Sequence, residues 1–159
     1  MNKFKKKYGV IPNVSENMYF TNSIHCPVWK ELSPFEKIDI ESKLGNYSNA
    51  GDILYIELDS DALHNLDAIE TYINYAMDND VPYFAINIPN DTCLECGYTG
   101  EILIDENLEW YCPECGNRDH DKLNVARRTC GYIGSQFWNK GRTQEIKERV
   151  LHIDNKDDE

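Results

Sequence analysis

The chain has 159 residues, of which 41% are hydrophobic and 28% are charged. This composition is typical of a soluble globular protein and differs from that of a disordered one. Lysine and arginine number 16 against 28 aspartate and glutamate residues, so the formal net charge is −12. Because such an acidic surface repels phosphate backbones, the charge argues against nucleic acid as the main partner.

Neither a membrane segment nor a secretion signal is recognisable. No apolar run approaches the roughly 18–20 residues that span a bilayer. The lysine-rich residues 1–7 are not followed by the apolar segment of a signal peptide. We therefore expect a cytoplasmic protein without a membrane partner, in which six cysteines serve as metal ligands or reactive thiols more often than as disulfides.

The first 90 residues predict a mixed α/β fold. Residues 33–45 begin with a capping-box pattern, Ser-Pro-Phe-Glu, and end in glycine, which predicts a helix. Residues 53–58 (ILYIEL) and 83–88 (YFAINI) have the apolar, β-branched character of strands. Asn65 is placed to cap a helix between them. Strand, helix and strand over this length predict a right-handed βαβ unit with parallel strands.

This α/β part is too small to bury its own sheet. Two parallel strands with one or two helices cannot cover both faces, and parallel sheets are normally buried. We therefore expect residues 1–90 to be a piece of a larger α/β body. A partner chain or a second copy would complete the sheet.

Four cysteines after residue 90 form the pattern C-x2-C-x15-C-x2-C: Cys93, Cys96, Cys112 and Cys115. A glycine follows each pair, which lets the backbone turn tightly behind two thiolates. Residues 101–104 and 108–111 predict a hairpin that brings the two pairs together. Four thiolates at tetrahedral spacing are the pattern of a structural Zn²⁺ site.

Other readings of these cysteines are two disulfides, a redox-active pair or an iron site. The compartment disfavours disulfides, and a thioredoxin-type site needs one C-x-x-C alone. Iron stays open, because the ligand set by itself does not exclude it. Four basic residues downstream could offset the charge of about −2 on a zinc tetrathiolate: Arg118, Lys122, Arg127 and Arg128.

Several stretches of the chain resemble anaerobic ribonucleoside-triphosphate reductases. Residues 127–134 (RRTCGYIG), 137–141 (FWNKG) and 145–152 (EIKERVLH) look like the C-terminal glycyl-radical segment of that family. The four cysteines just upstream are similar to its zinc site. Residues 19–28 (YFTNSIHCPV) and 51–57 (GDILYIE) resemble the preceding part of the catalytic barrel.

The resemblance, which covers roughly residues 8–152, implies that Gly131 carries a radical. A Cα-centred radical is planar, and glycine has no side chain to crowd it or to block the α-hydrogen. The family's activase, a radical S-adenosylmethionine iron–sulfur enzyme, would abstract that hydrogen. The radical would then pass to a cysteine whose thiyl attacks the ribose. Cys26 falls in a segment where the family does not keep that cysteine.

The resemblance also implies an architecture. The fold would be α/β, with a fragment of the glycyl-radical-enzyme barrel followed by a zinc ribbon, a glycyl-radical loop and a short C-terminal helix. Ile146 and Val150 predict that this helix covers residues 143–151. The corresponding domains are residues 1–90 for the barrel fragment, 91–118 for the ribbon, 119–152 for the loop and helix, and 153–159 for an acidic tail.

Catalytic chains of this family are several times longer and hold the thiyl cysteine and nucleotide sites upstream. We therefore expect this chain to convert ribonucleotides to deoxyribonucleotides only with a larger N-terminal reductase fragment that binds the ribonucleoside triphosphate. Its own Met1 and lysine-rich start suggest a split gene or truncated frame. Alternatives are a spare-part radical carrier for a damaged full-length reductase, a non-catalytic zinc-ribbon binding module and an inactive remnant.

Overall fold

The computed structural model describes residues 1–21, 24–45, 47–49, 51–59, 62, 64–129, 132–134 and 138–152. As predicted, the architecture is mixed α/β. The helices within the described residues are α1 (Asn2–Tyr8), α2 (Pro34–Gly45), α3 (Leu66–Asp78) and α4 (Lys140–Lys147). The strands are β1 (Leu54–Glu57), β2 (Phe84–Asn87), β3 (Asp91–Cys93), β4 (Thr99–Gly100), β5 (Leu103–Ile104), β6 (Trp110–Tyr111), β7 (Leu123–Asn124), β8 (Arg127–Thr129) and β9 (Tyr132–Gly134). None of the helices in these ranges has the length and apolar character to cross a membrane.

Side-chain caps start α2 and α3 where the sequence predicted them. The backbone N–H of Ser33 donates to Glu36 Oε2 at 2.9 Å, and the N–H of Glu36 donates to Ser33 Oγ at 3.3 Å. This reciprocal pair is a capping box, and α2 ends at Gly45 as expected. At α3, Asn65 Oδ1 accepts a hydrogen bond from the N–H of Ala68 at 3.1 Å.

β1 and β2 pair in parallel, as predicted, and α3 lies between them in the chain. Leu54 lies opposite Phe84, and the register continues to the last residue of each strand. Leu54 and Ile56 on one face of β1, and Leu58 directly after the strand, are almost completely buried in a hydrophobic cluster with Ile38 of α2. Alternate residues of a strand point to opposite faces, so this strand buries one face against the helices.

The two edges of this small sheet differ. The backbone N–H of His152 donates to the carbonyl oxygen of Glu57 at 2.9 Å, and the N–H of Glu57 donates to His152 Nδ1 at 2.9 Å. The edge of β1 is therefore occupied by the end of the described chain. Along β2, the described residues supply no further strand.

The remaining strands build a second cluster around the cysteines. β3 lies between β4 and β7 in an antiparallel sheet, and β5 pairs with β6 in the predicted hairpin. The buried residues of this cluster are Cys93, Ile102, Trp110, Cys112, Leu123, Val125 and Ile146. Because Ile146 belongs to α4, this helix packs on the cysteine-bearing module.

The predicted bounds of the last helix were wrong. The helix was expected over residues 143–151, whereas α4 spans Lys140–Lys147. It begins earlier because Asn139 Oδ1 accepts a hydrogen bond from the N–H of Arg142 at 3.1 Å. It ends earlier because the chain turns to Val28, whose carbonyl oxygen accepts the N–H of Val150 at 3.0 Å. The assignment of residues 1–90 to a barrel fragment and the domain boundaries stay predictions.

Candidate metal centre

The four cysteines of the motif come together in one cluster. All their Sγ atoms lie within 4.8 Å of one another, and the Cys93–Cys115 and Cys96–Cys112 pairs are each 3.7 Å apart. A tetrahedron with Zn–S bonds of about 2.3 Å has sulfur atoms about 3.8 Å apart. The donor set and its spacing therefore fit one tetrahedral metal ion.

Two turns of the same construction present these thiols. The N–H of Gly97 donates to the carbonyl oxygen of Cys93 at 2.8 Å, and that of Gly116 donates to Cys112 at 2.9 Å. The two glycines have φ angles of +78° and +74°, a conformation that glycine adopts without strain. The glycine after each cysteine pair is thus required by the turn.

The thiols of the metal-free cluster cannot all ionise together. Burial opposes ionisation of Cys93, but hydrogen bonds from the backbone of Cys96 and Glu95 outweigh it and lower its pKa to about 6. At Cys96, the backbone of Tyr98 favours the thiolate, whereas desolvation and the neighbouring thiols raise its pKa to about 12. A bound cation would compensate the repulsion and hold every coordinating thiol deprotonated.

Cys26 lies outside this cluster. Like the four motif cysteines it is a free thiol, and it is partly buried. Desolvation and the nearby carboxylate of Glu41 raise the pKa of Cys26. These surroundings are those of a small packed residue and not of a reactive thiol.

A buried ion pair ties β8 to the metal-site strand β3. The carboxylate of Asp91 is completely buried and accepts the backbone N–H groups of Ile102 at 2.8 Å and Ala126 at 3.1 Å. It also accepts a hydrogen bond from Arg127 Nη1, and Arg127 Nη2 donates to the carbonyl oxygen of Ile102 at 3.0 Å. Asp91 is two residues before Cys93, so the ion pair fixes the start of β8 against the cysteine cluster.

Two of the downstream basic residues that were expected to offset the charge of the site pair with carboxylates, and Lys122 also interacts electrostatically with Cys93. Arg118 pairs with Asp105 at 2.7 Å, and Lys122 pairs with Glu95. The side chain that reaches a motif sulfur is Asn117, whose Nδ2 lies 3.7 Å from Cys93 Sγ. Sequence reasoning missed both Asn117 and Asp91. Only the position of Asn117, directly after the second Cys-x-x-Cys-Gly, gave a signal.

The predicted radical carrier lies outside the described residues. β8 and β9 pair in antiparallel fashion, with Arg127 opposite Gly134 and Thr129 opposite Tyr132. Cys130 and Gly131 occupy the two sequence positions between these strands and are not described. The assignment of Gly131 therefore stays a prediction.

The comparisons with known proteins agree on one family. The family model for anaerobic ribonucleoside-triphosphate reductase matches residues 1–152. Proteins of that name from Escherichia coli K12, Haemophilus influenzae and Enterobacteria phage T4 are 41%, 42% and 39% identical over 152, 151 and 150 residues. These matches cover 94%, 93% and 92% of the present chain but 21%, 21% and 24% of the relatives. The chain thus spans less than a quarter of the length of these curated relatives.

Proposed function

We propose, because the chain belongs to the anaerobic ribonucleoside-triphosphate reductase family, that it is the radical-bearing part of such an enzyme. Working with a larger fragment that supplies the remaining length, it would convert ribonucleotides to deoxyribonucleotides. The observation that carries this proposal is the Arg-x-Cys-Gly-Tyr sequence at residues 128–132, close behind the four-cysteine cluster.

In this proposal Gly131 stores the unpaired electron. An activase cleaves S-adenosylmethionine with one electron from its iron–sulfur cluster, and the resulting carbon radical takes the α-hydrogen of Gly131. The electron left on the glycine Cα is delocalised over the adjacent amide groups, and no side chain crowds the planar centre. The cysteine that next receives the radical, and the ribonucleoside triphosphate, would belong to the larger fragment.

The described contacts support a firmly held base for the radical segment. Arg127 is joined to Asp91, and the guanidinium of Arg128 lies 3.3 Å from the centroid of the Tyr55 ring. Arg149 Nη2 donates to the carbonyl oxygen of Arg128 at 2.7 Å. β8, which ends two residues before Gly131, therefore contacts the cysteine module, β1 and the residues after α4.

The four motif cysteines would hold Zn²⁺ in a structural role: Cys93, Cys96, Cys112 and Cys115. The metal would stabilise the folded module by joining its two glycine turns. Because the Asp91–Arg127 pair links that module to β8, the zinc site would also fix the position of the radical segment.

An apolar surface beside the small sheet would receive the larger fragment. Leu66 and Met77 of α3 are 66% and 69% exposed, and Ile73 between them is 39% exposed. Residues seven and eleven positions apart return to the same helix face. Tyr83, directly before β2, is 59% exposed as well. Exposed apolar patches of this kind mark protein–protein contacts.

The contacts of the basic residues do not favour a nucleic-acid-binding ribbon. Arg127 is buried with Asp91, Arg118 and Lys122 each have a carboxylate partner, and Arg128 stacks on Tyr55. Basic side chains that are already paired or buried do not form the open positive patch that such binding requires.

Electron paramagnetic resonance tests the proposal. The zinc-loaded chain, with the larger reductase fragment, is incubated without oxygen with activase, S-adenosylmethionine and reductant. A glycyl-radical doublet is expected in the native chain and in Gly45→Ala, whose added methyl group would meet no atom closer than 3.4 Å, but not in Gly131→Ala. Oxygen should then cleave the activated chain at residue 131. A doublet that persists in Gly131→Ala would overturn the proposal.

A further inference from the structure

Gly134, the last residue of β9, lies against the indole ring of Trp138. A Cβ atom added to this glycine would meet the indole Cζ2 at 2.9 Å, and the indole Cε2 and Nε1 at 3.4 Å. The backbone of Gly134 does not have the left-handed conformation that favours glycine. A glycine inside a strand often marks the close approach of another group. The missing side chain at position 134 is therefore explained by the packing of Trp138.

The indole of Trp138 has little freedom to move away from a larger residue at position 134. It packs against the hydrophobic cluster around the cysteines, and its ring centroid lies 6.0 Å from that of Trp110. Trp110 is 2% exposed and is two residues before the metal-site residue Cys112. Thr143 Oγ1, on α4, donates to the carbonyl oxygen of Trp138 at 3.2 Å. The ring of Trp138 is thus held by the cysteine module and its backbone by α4.

Trp110 also contacts the partner strand of β9. The guanidinium of Arg127 lies 5.5 Å from the centroid of the Trp110 ring, and Arg127 is directly opposite Gly134 in the β8–β9 pair. Both strands that flank residues 130 and 131 are therefore joined to one tryptophan of the cysteine module. β8 is joined through Arg127, and β9 is joined through Trp138. The Asp91–Arg127 ion pair fixes only β8 directly, and the Trp138–Gly134 contact adds the link to β9.

We propose that Trp138 is a positioning residue for the radical segment, because its indole occupies the side-chain space of Gly134 and so holds β9 on the cysteine module. β9 begins at Tyr132, directly after Gly131, so a displaced β9 would also displace the neighbour of the radical carrier. Aromatic rings that cover strand glycines help to fix the register of a sheet. The packing stands on the described contacts, whereas its effect on the radical rests on the proposed function.

Amide hydrogen exchange of the full zinc-loaded chain tests the contact without radical chemistry. Gly134→Ala places a methyl group in the space of the indole. It should raise the exchange rates of the β8 and β9 amides about tenfold, because overpacking is unfavourable and is not relieved while the ring stays on Trp110. Gly45→Ala is the matched control. Its methyl group would meet no atom closer than 3.4 Å, so these amides should exchange as in the native chain.

A compensating substitution makes the test specific for the indole. Trp138→Phe gives a smaller ring that ends short of the indole Cζ2, so it should slow the exchange of Gly134→Ala to the rate of Trp138→Phe alone. Trp29→Phe, at a tryptophan outside the cysteine cluster, should give no such rescue. Should Gly134→Ala fail to fold, Trp138→Phe by itself should raise the exchange of the β9 amides several-fold and leave the β1 amides unchanged.

Product formed per radical tests the consequence for catalysis. With the larger reductase fragment, activase, S-adenosylmethionine and reductant, the deoxyribonucleotide formed per glycyl radical should fall several-fold in Gly134→Ala and recover when Trp138→Phe is added. Native exchange rates in Gly134→Ala, no rescue by Trp138→Phe, or an unchanged yield per radical would overturn the proposal. A native chain that forms no glycyl radical would overturn the proposed function instead, and the exchange rates would still decide whether Trp138 holds β9.

Discussion

The guanidinium of Arg127 pairs with the carboxylate of Asp91 in the interior of the protein, where the two side chains are 3% and 0% exposed. Asp91 opens the strand that carries Cys93, and Arg127 opens the strand that leads to Gly131. Thirty-six positions of sequence separate the two residues. One buried contact therefore joins the metal module to the proposed radical segment.

Asp91→Asn should destabilise the protein by about 3–5 kcal/mol, because it leaves the buried charge of Arg127 without a counterion. Urea unfolding of the zinc-loaded chain measures this loss. Glu95→Gln is the control, since its ion pair with Lys122 is about half-exposed and should contribute below about 1 kcal/mol. Equal destabilisation by the two variants would show that the buried Asp91–Arg127 pair contributes no more to the stability of the fold than the half-exposed Glu95–Lys122 pair does.

Cys112→Ser should abolish stoichiometric zinc binding, because it removes one of four thiolates from a closed tetrahedral site. Cys26→Ser, which changes a free thiol outside the cluster, should retain the metal. Metal analysis of the purified variants gives the stoichiometry, and amide hydrogen exchange over residues 91–125 reports the loosening of the module. Retention of zinc by Cys112→Ser would contradict the assignment. The visible absorption of an iron thiolate would identify iron instead.

Acidification should destabilise the fold through His152. Desolvation lowers its folded-state pKa to about 4, whereas an unfolded histidine has a pKa near 6.5. Between these values only the unfolded state binds the proton, so stability is lost as the pH falls from about 6.5 towards 4. From pH 7 to pH 5 the loss from this one group should be about 2 kcal/mol.

The difference between the native chain and His152→Asn isolates this contribution from that of the carboxylates. Unfolding free energies measured at pH 7 and pH 5 should fall less in His152→Asn. His64→Asn, a change at an exposed histidine, should keep the native pH dependence. If all three proteins lost the same stability, His152 would not be the titrating group.

Leu66→Glu and Met77→Glu should weaken binding of the larger reductase fragment without unfolding the chain. Both side chains are mostly exposed, so the new charges cost little in the free chain but would be desolvated in a complex. Thr71→Glu places the same charge at an exposed position on another face of α3. Association is measured by isothermal titration calorimetry, and undiminished affinity in the first two variants would exclude this face from the contact.

The elements predicted well from sequence are those with local causes. Three examples are the Ser33 capping box, the Asn65 cap and the glycines behind each cysteine pair. Their hydrogen bonds join residues three or four positions apart, so the local residue types are enough to predict them. The four thiols were also predictable as a group, because the two Cys-x-x-Cys pairs share one chemistry.

Contacts between distant segments were not predictable in the same way. The short final helix ends where Val150 bonds to Val28, and no pattern near residue 150 signals that partner. Likewise, Arg128 was expected to offset the charge of the zinc site, whereas it stacks on Tyr55 from β1. Tertiary packing decided both outcomes, and a single sequence records such packing only indirectly.

The hydrogen bonds between His152 and Glu57 make the two edges of the β1–β2 sheet unequal. An unpaired strand edge is a template for any extended segment of another chain. Here the imidazole and backbone of His152 occupy the outward-facing N–H and carbonyl oxygen of Glu57, so an added strand would meet a blocked position beside β1, whereas no described strand or cap lies beside β2. A further strand would therefore pair more readily along β2 than along β1.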